Sequence, residues 1–370
     1  MAPPMAPPAA PATAQAAPYG APSAGWTPPP KPGLIPLRPL TLGTMLGASF
    51  QVLRRNPRPM FGFSLLLTGA VFILTILLIG IFTFWSISRV TSAVGEDSET
   101  IAAGGVAAAL LGSLIPITLS IAVVAILQGV VVLEVARGTL GEKLTLRGLL
   151  RAARGRIWAL VGWSLLATLV ISVAVTIVVV VIVLLATLGG SAGIAVSVIL
   201  GILAALGSVV LGAWLWTRLC FVPAVIVIER LPIRQAVGRS WSLTLGYFWK
   251  TLGIQLLVGV IISAVSNIVS IPISIVIGLA GALIDPTGGD QTTAIVIVVV
   301  AYILTIVVSV VVGAVSAVVQ SATTALIYID IRMRKEGLDL ELARFVEARQ
   351  AGNTSVPDPY LLRQAPSPAA

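Results

Sequence analysis

The stretch VISVAVTIVVVVIVLLATL, Val170 to Leu188, decides the fold. It carries no charge and is rich in β-branched residues, which in water would favour a strand. It is also long enough to cross hydrocarbon, which takes about 20 apolar residues in a helix. Inside lipid every backbone amide must be satisfied within its own segment, so helix overrides strand propensity. Composition agrees: the chain is 57% hydrophobic and 10% charged, with a mean hydropathy of +1.05, whereas a soluble domain carries about 25% charged residues. The apolar runs are too continuous for the alternating strands of an outer-membrane barrel. The expected fold class is an all-α polytopic membrane protein.

Working outward, six spans are expected near 60–87, 104–133, 157–188, 193–217, 249–283 and 293–329. Pro116 and Pro272 predict kinks in the second and fifth. Basic residues cluster before span one (Arg54, Arg55, Arg58), between two and three (Arg147, Arg151, Arg154), between four and five (Arg234, Arg239, Lys250) and after six (Arg332, Arg334, Lys335). The other loops hold Arg89 with Glu96, Asp97, Glu99, Asp285 and Asp290. By the positive-inside rule both termini are cytoplasmic in a cell-membrane, multi-pass protein. GGSAG, starting at Gly189, makes spans three and four a tight hairpin.

The flanks read differently. Residues 1–36 are Pro/Ala low complexity without the basic and apolar regions of a signal peptide, and are expected to be a disordered cytoplasmic tail. Residues 347–370 are expected to be a second disordered cytoplasmic tail, leaving 37–346 as the transmembrane domain.

That domain contains a repeat. TLGTMLGASFQVLRRNPRPMFGFSLLL from Thr41, TLRGLLRAARGRIWALVGWSLLA from Thr145 and PIRQAVGRSWSLTLGYFWKTLGIQLLV from Pro232 share an i, i+3, i+4 apolar face. Leu42, Met45 and Leu46 match Leu146, Leu149 and Leu150, then Ile233, Ala236 and Val237; Gly62, Gly162 and Gly253 align next. Each copy has a helix start, Thr41 and Thr145 as N-caps and Pro232 in a first turn. The expected units, about 41–137, 145–230 and 232–332, are each an interfacial amphipathic helix followed by a transmembrane hairpin. Leu342, Phe345 and Val346 keep the spacing of a remnant fourth helix. In unit three, Arg239 and Lys250 are expected to face lipid headgroups, with Trp241 and Trp249 at the polar–apolar boundary.

The hairpins end alike, on Glu134, Glu229 and Asp330. An acid at a helix C-terminus opposes the macrodipole. Either each acid pairs with arginines of a neighbouring interfacial helix and pins the joint, or the three form a site for a cation, a proton or an amine headgroup. Arg218 is the other unusual charge, since ionisable residues in spans are costly and often functional. Near a span end it can snorkel to the interface, or it can bind a substrate or lipid phosphate.

Residues 35–57, Arg218 to Ile254 and Ala325 to Leu342 resemble a family of bacterial, largely actinobacterial, integral membrane proteins named for the membrane domain of glycerophosphoryl diester phosphodiesterase. The joint motif of Arg218, Pro223, Glu229, Arg239, Trp241 and Trp249 carries the resemblance, which covers about residues 35–345. Phosphodiesterases of that kind use a separate soluble barrel with catalytic histidines. This chain has no histidine, so the resemblance implies the membrane module without the enzyme.

A Ser/His/Asp or Cys/His arrangement is impossible without histidine, and Cys220 is the only cysteine. No phosphate-binding glycine loop followed by Lys-Ser/Thr occurs. The expectation is a non-enzymatic scaffold or lipid-associated module, with no cofactor, no metal and no nucleic-acid partner. Its expected partners are anionic lipid headgroups on the cytoplasmic side and a membrane protein. The alternative is a transporter or lipid-handling protein with a path between repeat units.

Overall fold

The computed structural model describes residues 33–92, 98–284, 291–353 and 355–361. Residues 1–32, 93–97, 285–290, 354 and 362–370 lie outside that description, and with them most of the N-terminal tail and Glu96, Asp97, Asp285 and Asp290. Helix is the only regular structure among the described residues. In chain order the helices are α1 (Leu42–Arg55), α2 (Phe63–Ser92), α3 (Ser98–Thr139), α4 (Leu146–Ala153), α5 (Ile157–Leu188), α6 (Gly190–Leu219), α7 (Val222–Ala224), α8 (Ile233–Thr244), α9 (Phe248–Ile284), α10 (Gln291–Glu336) and α11 (Leu338–Gln350). Single π-helical turns, Arg58–Gly62 and Val225–Glu229, lead into α2 and follow α7.

Six helical stretches are long and apolar enough to cross a membrane: Arg58–Trp85, Ile115–Thr139, Ile157–Leu188, Gly193–Glu229, Phe248–Val276 and Val298–Glu336. Their middles are exposed around most of their circumference, as in Val173–Val181 of α5. In water that would be untenable; it is the pattern of helices whose solvent is lipid. α3 and α9 continue as single helices through Pro116 and Pro272.

Burial is concentrated at the end of the bundle that carries the basic residues. There Val130–Ala136 of α3, Phe221–Ile228 and Ala325–Ile331 of α10 are packed on nearly all sides. The fourth span was expected to stop at 217, yet the apolar run continues to Glu229. Pro223 explains the step between the two parts. It lacks an N–H, and its ring collides with the carbonyl four residues back. α6 therefore stops at Leu219, and the chain resumes as α7 and a π-helical turn, closed by Arg230 in the left-handed region (φ 58°).

Two glycine positions carry close approaches. Between α5 and α6, Gly190 has φ +59°, and a Cβ on Gly193 would lie 2.3 Å from the Leu185 carbonyl oxygen, so the expected tight hairpin needs glycine there. At Gly33 a Cβ would lie 2.1 Å from the Gly138 carbonyl oxygen.

That second contact corrects the N-terminal boundary. Leu34 donates its N–H to Gly138 (2.8 Å), and Leu34, Ile35 and Leu40 are buried. Packing thus includes residues 33–35, inside the tail expected over 1–36. The C-terminal boundary is corrected as well. α11 buries Leu342, Phe345 and Val346, and the chain beyond it folds back. Tyr360 is buried, with its hydroxyl against Thr139 and the Ala136 carbonyl, and Asp358 pairs with Arg137 at 2.5 Å. A disordered tail was expected from 347; instead Arg349 pairs with Glu142, and the Tyr360 carbonyl accepts from Arg332 (3.1 Å).

Candidate functional site

The basic end is assembled by the short helices. Thr41 and Thr145 cap α1 and α4 through side-chain oxygens that accept from Thr44 and Gly148 N–H groups (both 3.3 Å). Pro232 stands at the N-cap of α8 rather than inside its first turn. Each of these helices buries one face: Met45, Ala48 and Val52 in α1, Leu149 and Ala153 in α4, and Ala236, Ser240 and Leu243 in α8. Opposite faces leave Arg54, Arg147, Arg151, Arg154 and Arg234 exposed. Trp158 beside α4 is exposed too.

The three acids stand in three different settings. Glu229 is buried and accepts from the Tyr328 hydroxyl (2.5 Å) and from Arg239 (Nε, 3.1 Å), with Arg332 NH1 at 3.5 Å. Arg239 and Arg332 also reach Glu336 (2.5 and 2.9 Å). Two carboxylates and two guanidiniums thus balance charge in one cluster. Burial works against the charge on Arg239, but Glu229 and Glu336 outweigh it and raise its pKa above the ordinary arginine value.

Asp330, fully buried, accepts from the Leu40 N–H (2.7 Å), Lys250 Nζ (2.5 Å) and Arg334 Nε (3.0 Å). It ties the N-terminal segment and the start of α9 to α10. Glu134 is different again. One oxygen accepts from Asn56 Nδ2 (3.2 Å), and the other, buried, has no partner.

The acids therefore do not share one ligand shell, and no group of His, Cys, Asp or Glu that could hold a metal ion occurs among the described residues. The macrodipole argument holds only for Glu229, since α3 and α10 run on past Glu134 and Asp330 to Thr139 and Glu336. Arg239 and Lys250 turn inward onto carboxylates, which corrects the expectation that they face headgroups. Tyr328 and Lys335 belong to the same assembly. Lys335 donates to the Ser242 and Leu245 carbonyls (2.8 and 2.7 Å), satisfying the end of α8. Sequence reading took Lys335 only as a mark of orientation and did not single out Tyr328, because neither belongs to the repeated pattern.

Arg218 stands apart. It lies in the last turn of α6, half-buried, and its guanidinium is 5.2 Å from the Trp241 ring, 5.8 Å from Phe248 and 6.0 Å from Trp214. Trp214 and Trp241 meet edge to face at 5.1 Å. NH1 donates to Thr244 Oγ1 (3.3 Å), while Nε is buried without a partner. Among the described residues no carboxylate comes within ion-pair distance of it. Ser240 Oγ donates to the Arg218 carbonyl (2.7 Å), which fixes α8 against this turn. Trp249, 80% exposed, points outward beside Phe248. Chemically this is a cation framed by aromatic rings and lacking an anion, on a helix that is otherwise apolar.

The sequence pattern of a family described as a domain of unknown function, DUF7847, matches residues 40–331, and the chain belongs to that family. No curated protein and no solved structure matches the chain.

Proposed function

We propose that the protein is a non-enzymatic, multi-pass module of the cytoplasmic membrane that binds anionic lipid headgroups at its basic end. In this reading the fold is three copies of an interfacial helix plus a transmembrane hairpin, with both termini cytoplasmic. The succession of α1, α4 and α8, each followed by two long helices, supports the repeat. The placement of the arginines supports the orientation.

The observation that carries the reading is Arg218. A half-buried cation without a carboxylate is costly next to hydrocarbon, and a phosphate oxygen at the headgroup level, meeting the terminal guanidinium nitrogens, would supply the missing charge. The exposed arginines of α4, with Trp158 beside them, would add sequence-independent attraction of about 1 kcal/mol each to an anionic surface. Glu229 and Asp330 are engaged by cations and protein donors rather than open to a solute. Their arrangement supports a structural role in which they hold the scaffold that presents Arg218.

The test is purification in native lipid particles, with mass spectrometry of the retained lipids and proteins. Anionic phospholipid should be enriched over the bulk membrane, and Arg218→Ala should lose the enrichment. A retained lipid profile identical to the bulk membrane would overturn the reading.

A further inference from the structure

A cleft of about 530 Å³ opens between α6, α9 and α10, within the range of about 300–1,000 Å³ typical of small-molecule sites. Leu252, Leu256, Gly259 and Val260 of α9 make its apolar wall, with Trp216 of α6 and Gln320 of α10 at its sides. Along α9 its lining runs from Leu252 to Ala264, about 18 Å at 1.5 Å per residue. That is close to one leaflet, half of a hydrocarbon core about 30 Å thick.

Gln255 also lines this cleft, with only 4% of its surface exposed. Its Oε1 accepts from the Trp216 indole N–H (2.6 Å). An indole can only donate, so the amide oxygen must face it and the amide nitrogen must face elsewhere. That nitrogen is buried and has no oxygen acceptor. The Cys220 sulfur beside it is only a weak acceptor, and its thiol is donated to the Thr217 carbonyl (3.1 Å). An unpaired donor costs most where no water can reach it.

Phe248, Leu252, Gln255 and Gly259 fall on one stripe of α9, at i, i+4, i+7 and i+11. Phe248 starts that stripe, and its ring lies 5.8 Å from the Arg218 guanidinium. A cation, an amide donor two turns further in and an apolar trough follow one another along the helix. That is the order of phosphate, ester carbonyl and acyl chain in a phospholipid.

We infer that the cleft seats one acyl chain of a diacyl phospholipid, with the Gln255 amide donating to that chain's ester carbonyl and Arg218 at the headgroup end. The headgroup half rests on the function proposed above; the chain half stands on the cleft and Gln255 alone. Gly259 and Ser263 could also admit the helix of a second copy. A helix–helix seam would cross both leaflets, whereas this cleft covers one.

Native mass spectrometry of the full chain in detergent tests this, titrating dioleoylphosphatidylglycerol, dioleoylphosphatidylcholine and the ether-linked analogue of the first. Gly259→Phe fills the trough and should fold, since a Cβ there meets nothing within 4 Å; Gly212→Phe, equally open, is the control. Wild type and the control should retain one tightly held lipid, and Gly259→Phe should lose it. Gln255→Leu should abolish a preference of about five- to tenfold for ester over ether lipid. Arg218→Ala should keep the lipid and lose only the preference for glycerol over choline headgroups. Unchanged retention in Gly259→Phe overturns the cleft and leaves the headgroup reading standing. A headgroup preference that survives Arg218→Ala does the reverse. A wild-type dimer that Gly259→Phe converts to monomer, with lipid unchanged, assigns the cleft to a second copy and overturns the lipid seat.

Discussion

Among the described residues Glu229 accepts from Tyr328 and Arg239 and lies within ion-pair distance of Arg332, and its neutralisation should be felt. Glu229→Gln removes the buried member of the cluster and leaves Arg332, 3% exposed, and Arg239 with Glu336 as their one carboxylate. Breaking a buried pair in this way costs about 3–5 kcal/mol, readable as a lowered unfolding midpoint in detergent. Glu134→Gln should cost less than about 1 kcal/mol, because one of its oxygens has no partner and Asn56 can still donate to the other. Equal losses in the two variants would contradict the distinction drawn between the acids. Tyr360 gives the pH-dependent counterpart. Burial pushes its phenol above the usual range. The neutral form is thus the docked form, and its contribution to stability is complete below the ordinary phenol value of about 10. It is lost as pH rises through the higher folded value. Phenolate absorbance, taken as wild type minus Tyr360→Phe, should be absent at pH 10; an ordinary midpoint would mean that the ring is not docked. At this scale the sequence marked which charges are unusual and the kind of partner, an interfacial-helix arginine, that Glu229 finds in Arg239. Other partners lie across long chain separations, as with Asp330 and Leu40 or Tyr328 and Glu229, and no local pattern encodes those.

At the scale of elements, the helices were the legible part. Hydropathy and length place all six apolar helices, and the two threonine caps start α1 and α4 as the i, i+3, i+4 pattern implies. Terminal segments were not legible, because their order comes from docking rather than propensity. Gly33 looks like linker composition and is required by backbone contact with Gly138. Glycines inside helices differ in the same way: Gly201 and Gly313 have open space where a Cβ would stand, while a Cβ on Gly129 would lie 2.5 Å from a Leu160 methyl. Removing residues 351–370 should uncover Arg332 and Thr139, which the Tyr360 carbonyl and hydroxyl now satisfy. We expect a loss of about 1–3 kcal/mol, measurable as a lower melting temperature. An unchanged value would show that the docked segment contributes nothing.

At the scale of the whole molecule, α10 runs 46 residues, about 69 Å at 1.5 Å per residue, so a core about 30 Å thick leaves a long part of it outside hydrocarbon. The buried polar clusters all gather at the end of α10 that bears Arg332 and Arg334. This division gives one end paired buried charges beneath a layer of exposed arginines and leaves the long helices apolar towards the other end. Presentation of Arg218 to anionic lipid is the function we propose for this end, and one ratio tests it most directly. Dissociation constants for dioleoylphosphatidylglycerol and dioleoylphosphatidylcholine should be measured on wild type and Arg218→Ala in one detergent and one buffer. The expected result is about tenfold tighter binding of the anionic lipid by wild type, falling to near parity in the variant. The same ratio in both proteins would contradict the assignment of Arg218 as the headgroup contact.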